Sequence, residues 1–578
     1  MLKIIHRYKP QNILIISFII FICLIAFLPS LTNDFVNWDD PFTLINNPLI
    51  KQFSIDNLFH ITFSHYQGKY HPLTFITYAI EYHFFGLKPF IYHLTNLLIH
   101  LTNIFLLFYL LLKGLHQPLL VCTIVSLLFG LHPIQTESVV WVSSRKDVLF
   151  AFFYLSAILF YVKHFNTATP KNTNYYKKVS IALFLCSLLS KASAVSLPIA
   201  LLIIDYAYKE KITITDIKQK TPYFLLSFLF GLITLVAVHL QQAFPNSLRF
   251  PFIEKFIFST SAIFFYIFLI LCPFKLSAYH PFPSDYGGSL PTFQRYSPIM
   301  FIILCILIFS NKKLNKQIKA GFAFFLITIA PTMHIFAMND SFVYERFLYI
   351  PSIGIFFIIA KLINKLFTEI IIKSKIKKII AICIALSYIT LLISSTWQRC
   401  MVWKNSLSLW SDVINKYPDS PIGYFMRAKY EAAIDKPISA IKDYTTAINI
   451  DHSYFMAYFG RATILSKIDK IDEAIKDYSV VLSINKRFMP AYINRGNLYS
   501  EKRQYKKAIA DYTKAIKLNP QNPLGYLNRA QTYIDAGLLN NALTDYETML
   551  KLYPNNKFVL YKYHMLQKHI KGTMEKRQ

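Results

Sequence analysis

At 578 residues, 54% of them apolar and 16% aromatic, with a mean hydropathy of +0.37, the chain is too apolar for a soluble multidomain protein. A formal charge of +30 invites a nucleic-acid partner, but most basic residues of the first zone sit in short loops between apolar blocks, which argues against one. The apolar residues crowd before about residue 397 and an ordinary charged, Tyr-rich composition follows, so two zones face two solvents.

The first apolar block, Asn12 to Leu31, follows the basic stub Lys3, Arg7 and Lys9 and lacks a small-residue cleavage site, and is expected to be an uncleaved transmembrane helix. Eleven further blocks follow, centred near residues 101, 126, 155, 185, 199, 231, 263, 304, 328, 357 and 388. The loops holding Lys163, Lys171, Lys177 and Lys178, and then Lys209, Lys211, Lys218 and Lys220, read as cytoplasmic by the positive-inside pattern. So do Lys312, Lys313, Lys316 and Lys319 and the cluster from Lys361 through Lys373, Lys375, Lys377 and Lys378, which puts the chain after Trp397 outside. The two ends agree only with an odd number of crossings. About eleven are therefore expected, with one half-crossing or re-entrant helix between Lys178 and Phe274.

Polar residues at membrane depth are costly, so those beside the apolar blocks are candidates for function. The outer loop 32–90 carries Asn37-Trp38-Asp39-Asp40-Pro41. Paired carboxylates beside an interfacial Trp suit a general base or a metal ligand; an N-cap or Asx turn is the competing explanation. The next outer loop runs from His132-Pro133 through Glu137 and Trp141 to Arg145-Lys146-Asp147. Its cations run against the positive-inside trend, and such a set suits an anionic phosphate, the alternative being a helix end whose cations snorkel. Lys191 of Ser190-Lys191 needs an anion, either a phosphate or a neighbouring carboxylate. In Tyr344-Glu345-Arg346-Phe347-Leu348-Tyr349, a Glu345–Arg346 pair competes with a site role.

Six of the seven cysteines fall within apolar blocks, and no CxxC or Cys/His cluster is present, so neither a disulfide framework nor a structural zinc site is expected.

After Trp397, Ser406 to Pro418 reads as a lone second helix of a repeat, with Trp410 in the place of the later Tyr444. Then Tyr424, Tyr458, Tyr492 and Tyr526 recur every 34 residues, as do Arg427, Arg461, Arg495 and Arg529. The pairs Asp443-Tyr444, Asp477-Tyr478, Asp511-Tyr512 and Asp545-Tyr546 keep the same step. The pattern resembles the tetratricopeptide repeat, two antiparallel helices per copy. The Tyr and Arg columns are candidates for binding a protein or peptide; alternatively each Arg stem covers the neighbouring repeat with its head in water.

The expected architecture is all-α: a transmembrane domain over 1–398, a junction with the lone helix over 399–420, four repeats over 421–556, and a capping helix with a basic tail over 557–578.

The ordered set Trp38-Asp39-Asp40, His71-Pro72-Leu73, Gly86-Leu87, Tyr92-His93-Leu94 with Asn96, His132-Pro133 with Glu137 and Arg145, Ser190-Lys191 and Glu345-Arg346-Phe347-Leu348-Tyr349 resembles the transmembrane and tetratricopeptide repeat-containing proteins and their bacterial relatives. The likeness covers nearly the whole chain. It implies a GT-C-type glycosyltransferase that takes a sugar, with mannose a candidate, from a polyprenyl-phosphate carrier to an acceptor hydroxyl, probable acceptors being proteins, at the extracytoplasmic face of a membrane, the bacterial inner membrane here. The resemblance makes Asp39 or Asp40 the catalytic carboxylate, Glu137 its acidic partner, and Arg145, Lys191 and Arg346 the ligands of the donor phosphate. His71, His132, Glu345 and Tyr349 are expected to support them. No cofactor beyond the lipid-phosphate sugar is implied for certain; a divalent metal is compatible if Asp39, Asp40 and Glu137 converge. The chain departs from the family's frequent Ser-Lys-Glu, having Ala192 after Lys191. The rival readings are a non-enzymatic membrane-anchored repeat scaffold for envelope assembly, and a lipid-linked glycan transporter or ligase.

Overall fold

The computed structural model describes residues 10–63, 66, 70–165, 170–209, 212–240, 251–283, 290–335, 340–371 and 374–575. Lys3, Arg7, Lys9, Lys211 and Lys373 lie outside the described residues. The fold is all-α and divides into two compact units, Met1–Lys416 and Tyr417–Gln578.

In the first unit every apolar block is helical, because a backbone in lipid can meet its hydrogen-bonding needs only within itself. Among the described residues six helices are long and apolar enough to cross a membrane: Pro10–Thr32, Pro89–Gly114, Val142–Phe165, Phe252–Leu271, Thr292–Ser310 and Lys375–Val402. A seventh crossing arises if Leu119–Leu131 and Pro133–Val140, bent by 50° where Pro133 interrupts the helix, count as one. The remaining blocks form shorter helices, such as Leu197–Tyr208 and Lys316–Ile329. The chain is an integral membrane protein.

Burial separates central from peripheral spans. Val142–Phe165 is 67% buried by its neighbours, whereas Thr292–Ser310 and Lys375–Val402 are 6% and 11% buried and turn apolar side chains outward. Helices Lys316–Ile329 and Ser352–Leu366 cross so closely that a Cβ added to Gly354 would run into the Gly321 carbonyl. Small residues at such crossings are how helices pack where water supplies no hydrophobic drive.

The outer loop is folded rather than loose. It contains short helices at Pro41–Ile45, Pro48–Ile50, Ile55–Phe63 and Pro72–Phe85 around a core of Leu44, Ile50, Ile61, Phe75, Tyr78 and Tyr92. Helix Ser406–Lys416 forms as expected and belongs by its contacts to the membrane unit.

The second unit is an α-solenoid. Helix pairs run Pro421–Ala433 with Pro437–Ile450, Phe455–Lys467 with Ile471–Ile484, Met489–Glu501 with Tyr505–Leu518, and Pro523–Asp535 with Leu539–Leu552; Lys557–Glu575 follows. Each pair is joined by a turn whose last bend takes a left-handed residue, at Asp435, Asp469, Arg503 and Gly537. The Arg column is not a free row. Arg427, Arg461, Arg495 and Arg529 each clasp the Asp 16 residues onward through two N–H···O bonds of 2.6 to 2.9 Å. The last three also donate to Thr445, Ser479 and Thr513 of the preceding repeat, at 3.0, 2.8 and 2.8 Å. The guanidinium groups of Arg461, Arg495 and Arg529 thus each tie three helices together. The charge of the column is thus engaged within the repeats, where the side chains are only 16–23% exposed.

Candidate functional site

The two carboxylates of Trp38-Asp39-Asp40 have different fates. Asp40 is 1% exposed and works on the loop itself: its Oδ2 accepts from Val36 N–H at 2.9 Å, and its Oδ1 from Ser143 N–H at 3.1 Å and from the Ser143 hydroxyl. That joins the first outer loop to the second. Asp39 stays half-buried, and its backbone carbonyl caps the turn by accepting from Thr43 N–H at 2.8 Å.

Burial pushes the Asp40 carboxyl up to about 6, against the lowering effect of its hydrogen bonds. A folded-state value above the unfolded one means that its stabilising contribution is whole below about pH 4 and is lost as the pH rises through 6. The protein is expected to melt higher at pH 5 than at pH 7.5, with about 1–2 kcal/mol of stability from this group between the two. Thermal unfolding at the two pH values checks this, and Asp40→Asn should remove Asp40's part of the difference.

Around Trp38 stands an aromatic wall that gathers four of the five tryptophans of the chain. Trp38 stacks on Trp141 with centroids 4.9 Å apart and on Trp403 at 6.5 Å, and meets Trp410 at 5.3 Å and Tyr344 at 5.9 Å. Arg346 lies against the same wall, 3.8 Å from the Tyr344 ring, 5.0 Å from Trp141 and 5.9 Å from Trp38.

Arg346 pairs with Glu137: its Nη1 binds Oε1, and its backbone N–H donates to Oε2 at 3.1 Å. The expected alternative, a pair between the adjacent Glu345 and Arg346, is overturned, because neighbours in a short helix point apart. Glu345 instead accepts from Ser277 N–H and lies 3.5 Å from His280 and 3.8 Å from Arg399. Lys191 finds the neighbouring carboxylate, pairing with Asp147. Its ammonium stands 5.0 Å from the Phe347 ring, and the Arg346 guanidinium 5.2 Å from it, so one phenyl lies between the two cations.

Arg145 has a different character. It is wholly buried, pairs with Glu81, and donates to Asn96 Oδ1 and the Tyr92 carbonyl at 2.8 Å each. All three nitrogens have protein partners and the side chain is wholly enclosed, so it does not snorkel. By contrast Lys191 uses one of its three donors in the bonds seen, and Arg346 Nε has no hydrogen-bond partner among the described residues.

The expected supporting residues divide likewise. His132 starts the short helix after Pro133, its Nδ1 accepting from Ile134 N–H at 3.2 Å and its Nε2 contacting the Ile270 carbonyl at 2.9 Å. Tyr349 hydroxyl bonds His100 Nδ1 at 2.7 Å and Asn103 at 3.2 Å, a polar knot within the helix bundle. His71 occupies the N-cap position of helix Pro72–Phe85 without a side-chain cap bond, its carbonyl accepting from Phe75 N–H at 3.1 Å. Among the described residues no three His, Cys, Asp or Glu side chains converge as a metal site; Asp40 and Glu137 spend their oxygens on Ser143, Val36 and Arg346. An apolar recess of about 80 Å³ between Leu107, Leu155, Ile203, Phe324 and Phe357 includes none of these residues.

The pairings that sequence reasoning missed are Arg145 with Glu81, Lys191 with Asp147, and the gathering of Trp141, Trp403 and Trp410 on Trp38. A recurring Arg and Asp at a separation of 16 was visible in the repeats, and could have disclosed the clasp there.

Comparison with known proteins agrees with the architecture. Residues 490–522 and 525–556 each match a family model described as tetratricopeptide repeat. The chain is 24% identical over 473 residues to a protein O-mannosyl-transferase of Caenorhabditis elegans, covering 78% of this chain and 64% of that protein. It is 24% identical to the Homo sapiens protein O-mannosyl-transferase TMTC3, covering 60% and 40%, and 22% identical to the human TMTC1, covering 73% and 53%. It thus spans less than two thirds of the length of these relatives. Among solved structures, a crystal structure of MamA has 22% identity and a TM-score of 0.25, with 25% of this chain and 86% of that one covered. YrrB, titled a TPR protein with an unusual peptide-binding site, has 17% and 0.26, with 28% and 84% covered. The chain is a membrane-embedded homologue of the proteins named protein O-mannosyl-transferase, with tetratricopeptide repeats in its C-terminal third.

Proposed function

We propose that the chain is a glycosyltransferase that moves a sugar, mannose by analogy with its relatives, from a polyprenyl-phosphate carrier to a protein hydroxyl. One observation carries the proposal: a half-buried Asp39 follows Trp38 of the aromatic wall on which Arg346 lies, Lys191 shares the Phe347 ring with Arg346, and both cations retain donor capacity. In an inverting transfer, Asp39 takes the proton of the acceptor hydroxyl as its oxygen bonds the anomeric carbon, and the bond from that carbon to the carrier phosphate breaks. The phosphate leaves with one more negative charge, which Arg346 and Lys191 neutralise. Glu137 and Asp147 act through these cations, holding each in place. Asp40 and Arg145 shape the loop. The repeats bind the polypeptide acceptor or a partner.

The positive-inside pattern supports an extracytoplasmic site in a bacterial inner membrane, since the basic loops lie on the other side by crossing parity. Binding of polyprenyl-phosphate sugar to purified full-length protein tests the donor assignment. Lys191→Gln or Arg346→Gln is expected to weaken it about ten- to hundredfold, by loss of a charge-assisted bond. Unchanged affinity in both variants would exclude these cations as the phosphate ligands.

A further inference from the structure

The helix Ser406–Lys416 looks by sequence like half of a repeat, yet its polar side chains are spent on the loops of the membrane site. Ser406 Oγ accepts from Asn37 N–H at 2.8 Å, and Trp410 Nε1 donates to Asn37 Oδ1 at 2.7 Å, two residues before Asp39. Just before the helix, Lys404 carbonyl accepts from Asp34 N–H at 2.8 Å and Cys400 carbonyl from Asn33 at 3.1 Å. Further along the helix, Asp412 takes the Arg399 guanidinium at 2.7 Å, and Arg399 reaches Glu345, the neighbour of Arg346. Lys416 donates to the Leu276 carbonyl at 2.5 Å and to Asp412 at 2.6 Å. One helix therefore holds two loops directly, the one bearing Asp39 and the one whose Ser277 and His280 meet Glu345, and reaches the loop bearing Arg346 through Arg399.

We infer that the helix Ser406–Lys416 is a positioning element of the transferase site, and that Trp410 and Ser406 are positioning residues that set Asp39 by fixing both sides of Asn37. Structural packing alone asks only for the indole ring of Trp410, which Trp38 already covers at 5.3 Å. The aimed N–H and the second hydrogen bond, on the backbone of the same residue, fix a direction as well as a volume. Two bonds on one residue leave the loop little rotational freedom, and general-base geometry is intolerant of displacements near 1 Å. The inference rests on the transferase reading for its catalytic half, and on geometry alone for its loop-holding half.

The test uses full-length protein with Trp410→Phe, which keeps an aromatic ring and removes the donor, and Ser406→Ala. Trp397→Phe, at a tryptophan 41% exposed and outside the wall, is the control. Two readouts are taken: hydrogen exchange over residues 34–43, and transfer kinetics with the lipid-phosphate donor. Both site variants are expected to exchange faster at Val36 and Asn37 than the wild type and the control. They are expected to lower kcat about tenfold or more, with the donor KM nearly unchanged. Exchange equal to that of the control overturns the inference, as does unchanged kcat in a wild type that transfers sugar. A wild type that exchanges as expected but transfers nothing sinks the transferase reading instead, and leaves the exchange comparison to decide whether this helix holds the loop.

Discussion

Asp39→Asn is expected to lower sugar transfer about 10²–10⁴-fold, the usual worth of a positioned general base, while leaving the protein folded. The change is isosteric and removes only the basicity. The turn is closed by the Asp39 backbone carbonyl, and the link to the second loop is made by Asp40. Asp40→Asn is expected to behave in the opposite way. An amide there must turn its NH₂ toward either the Val36 or the Ser143 N–H, so one buried donor loses its acceptor, at a cost of about 1–3 kcal/mol. The two variants side by side, assayed for transfer and for thermal unfolding in detergent, separate chemistry from support. Loss of transfer in Asp40→Asn alone, with Asp39→Asn active, would exchange their roles.

Arg145→Met is expected to destabilise the membrane unit by about 3–5 kcal/mol, the cost of breaking a buried ion pair from one side. Glu81 would be left buried without its cation, and Asn96 Oδ1 and the Tyr92 carbonyl would lose the Arg145 donors. Adding Glu81→Gln should recover part of the loss, since a pair removed from both sides leaves no unmatched charge. Thermal unfolding of the single and double variants measures the recovery. A phosphate ligand would behave differently: Lys191→Gln is expected to affect donor affinity more than melting temperature, because the Lys191 side chain is 10% exposed where that of Arg145 is fully enclosed.

The all-α plan could be read from the chain, because apolar run length and a 34-residue period are local signals. The residues that carry charge could also be named, because a charge in an apolar neighbourhood stands out. Their partners could not. Glu81 lies 64 residues from Arg145, Asp147 lies 44 from Lys191, and Glu137 lies 209 from Arg346, and no periodicity encodes separations of that kind. The pairing of Glu345 with Arg346 failed for a local reason: adjacent side chains diverge in a helix, and Glu345 turned instead to Ser277, His280 and Arg399. In the repeats, the Arg column was legible as a column but not as a clasp, since the Asp that completes it had been read only as a neighbour of the packing Tyr. Trp410 shows the same limit from the other side. It stands 34 residues before Tyr444, in the register of the repeats, while its indole packs on Trp38 in the membrane unit.

The most direct measurement is transfer of labelled sugar from a polyprenyl-phosphate donor to a Ser- and Thr-containing polypeptide by the purified full-length protein, with wild type and the Asp39→Asn, Asp40→Asn double variant compared. Transfer by the wild type and its loss in the double variant is the predicted result; full activity in the double variant, or no transfer by a folded wild type, would contradict it.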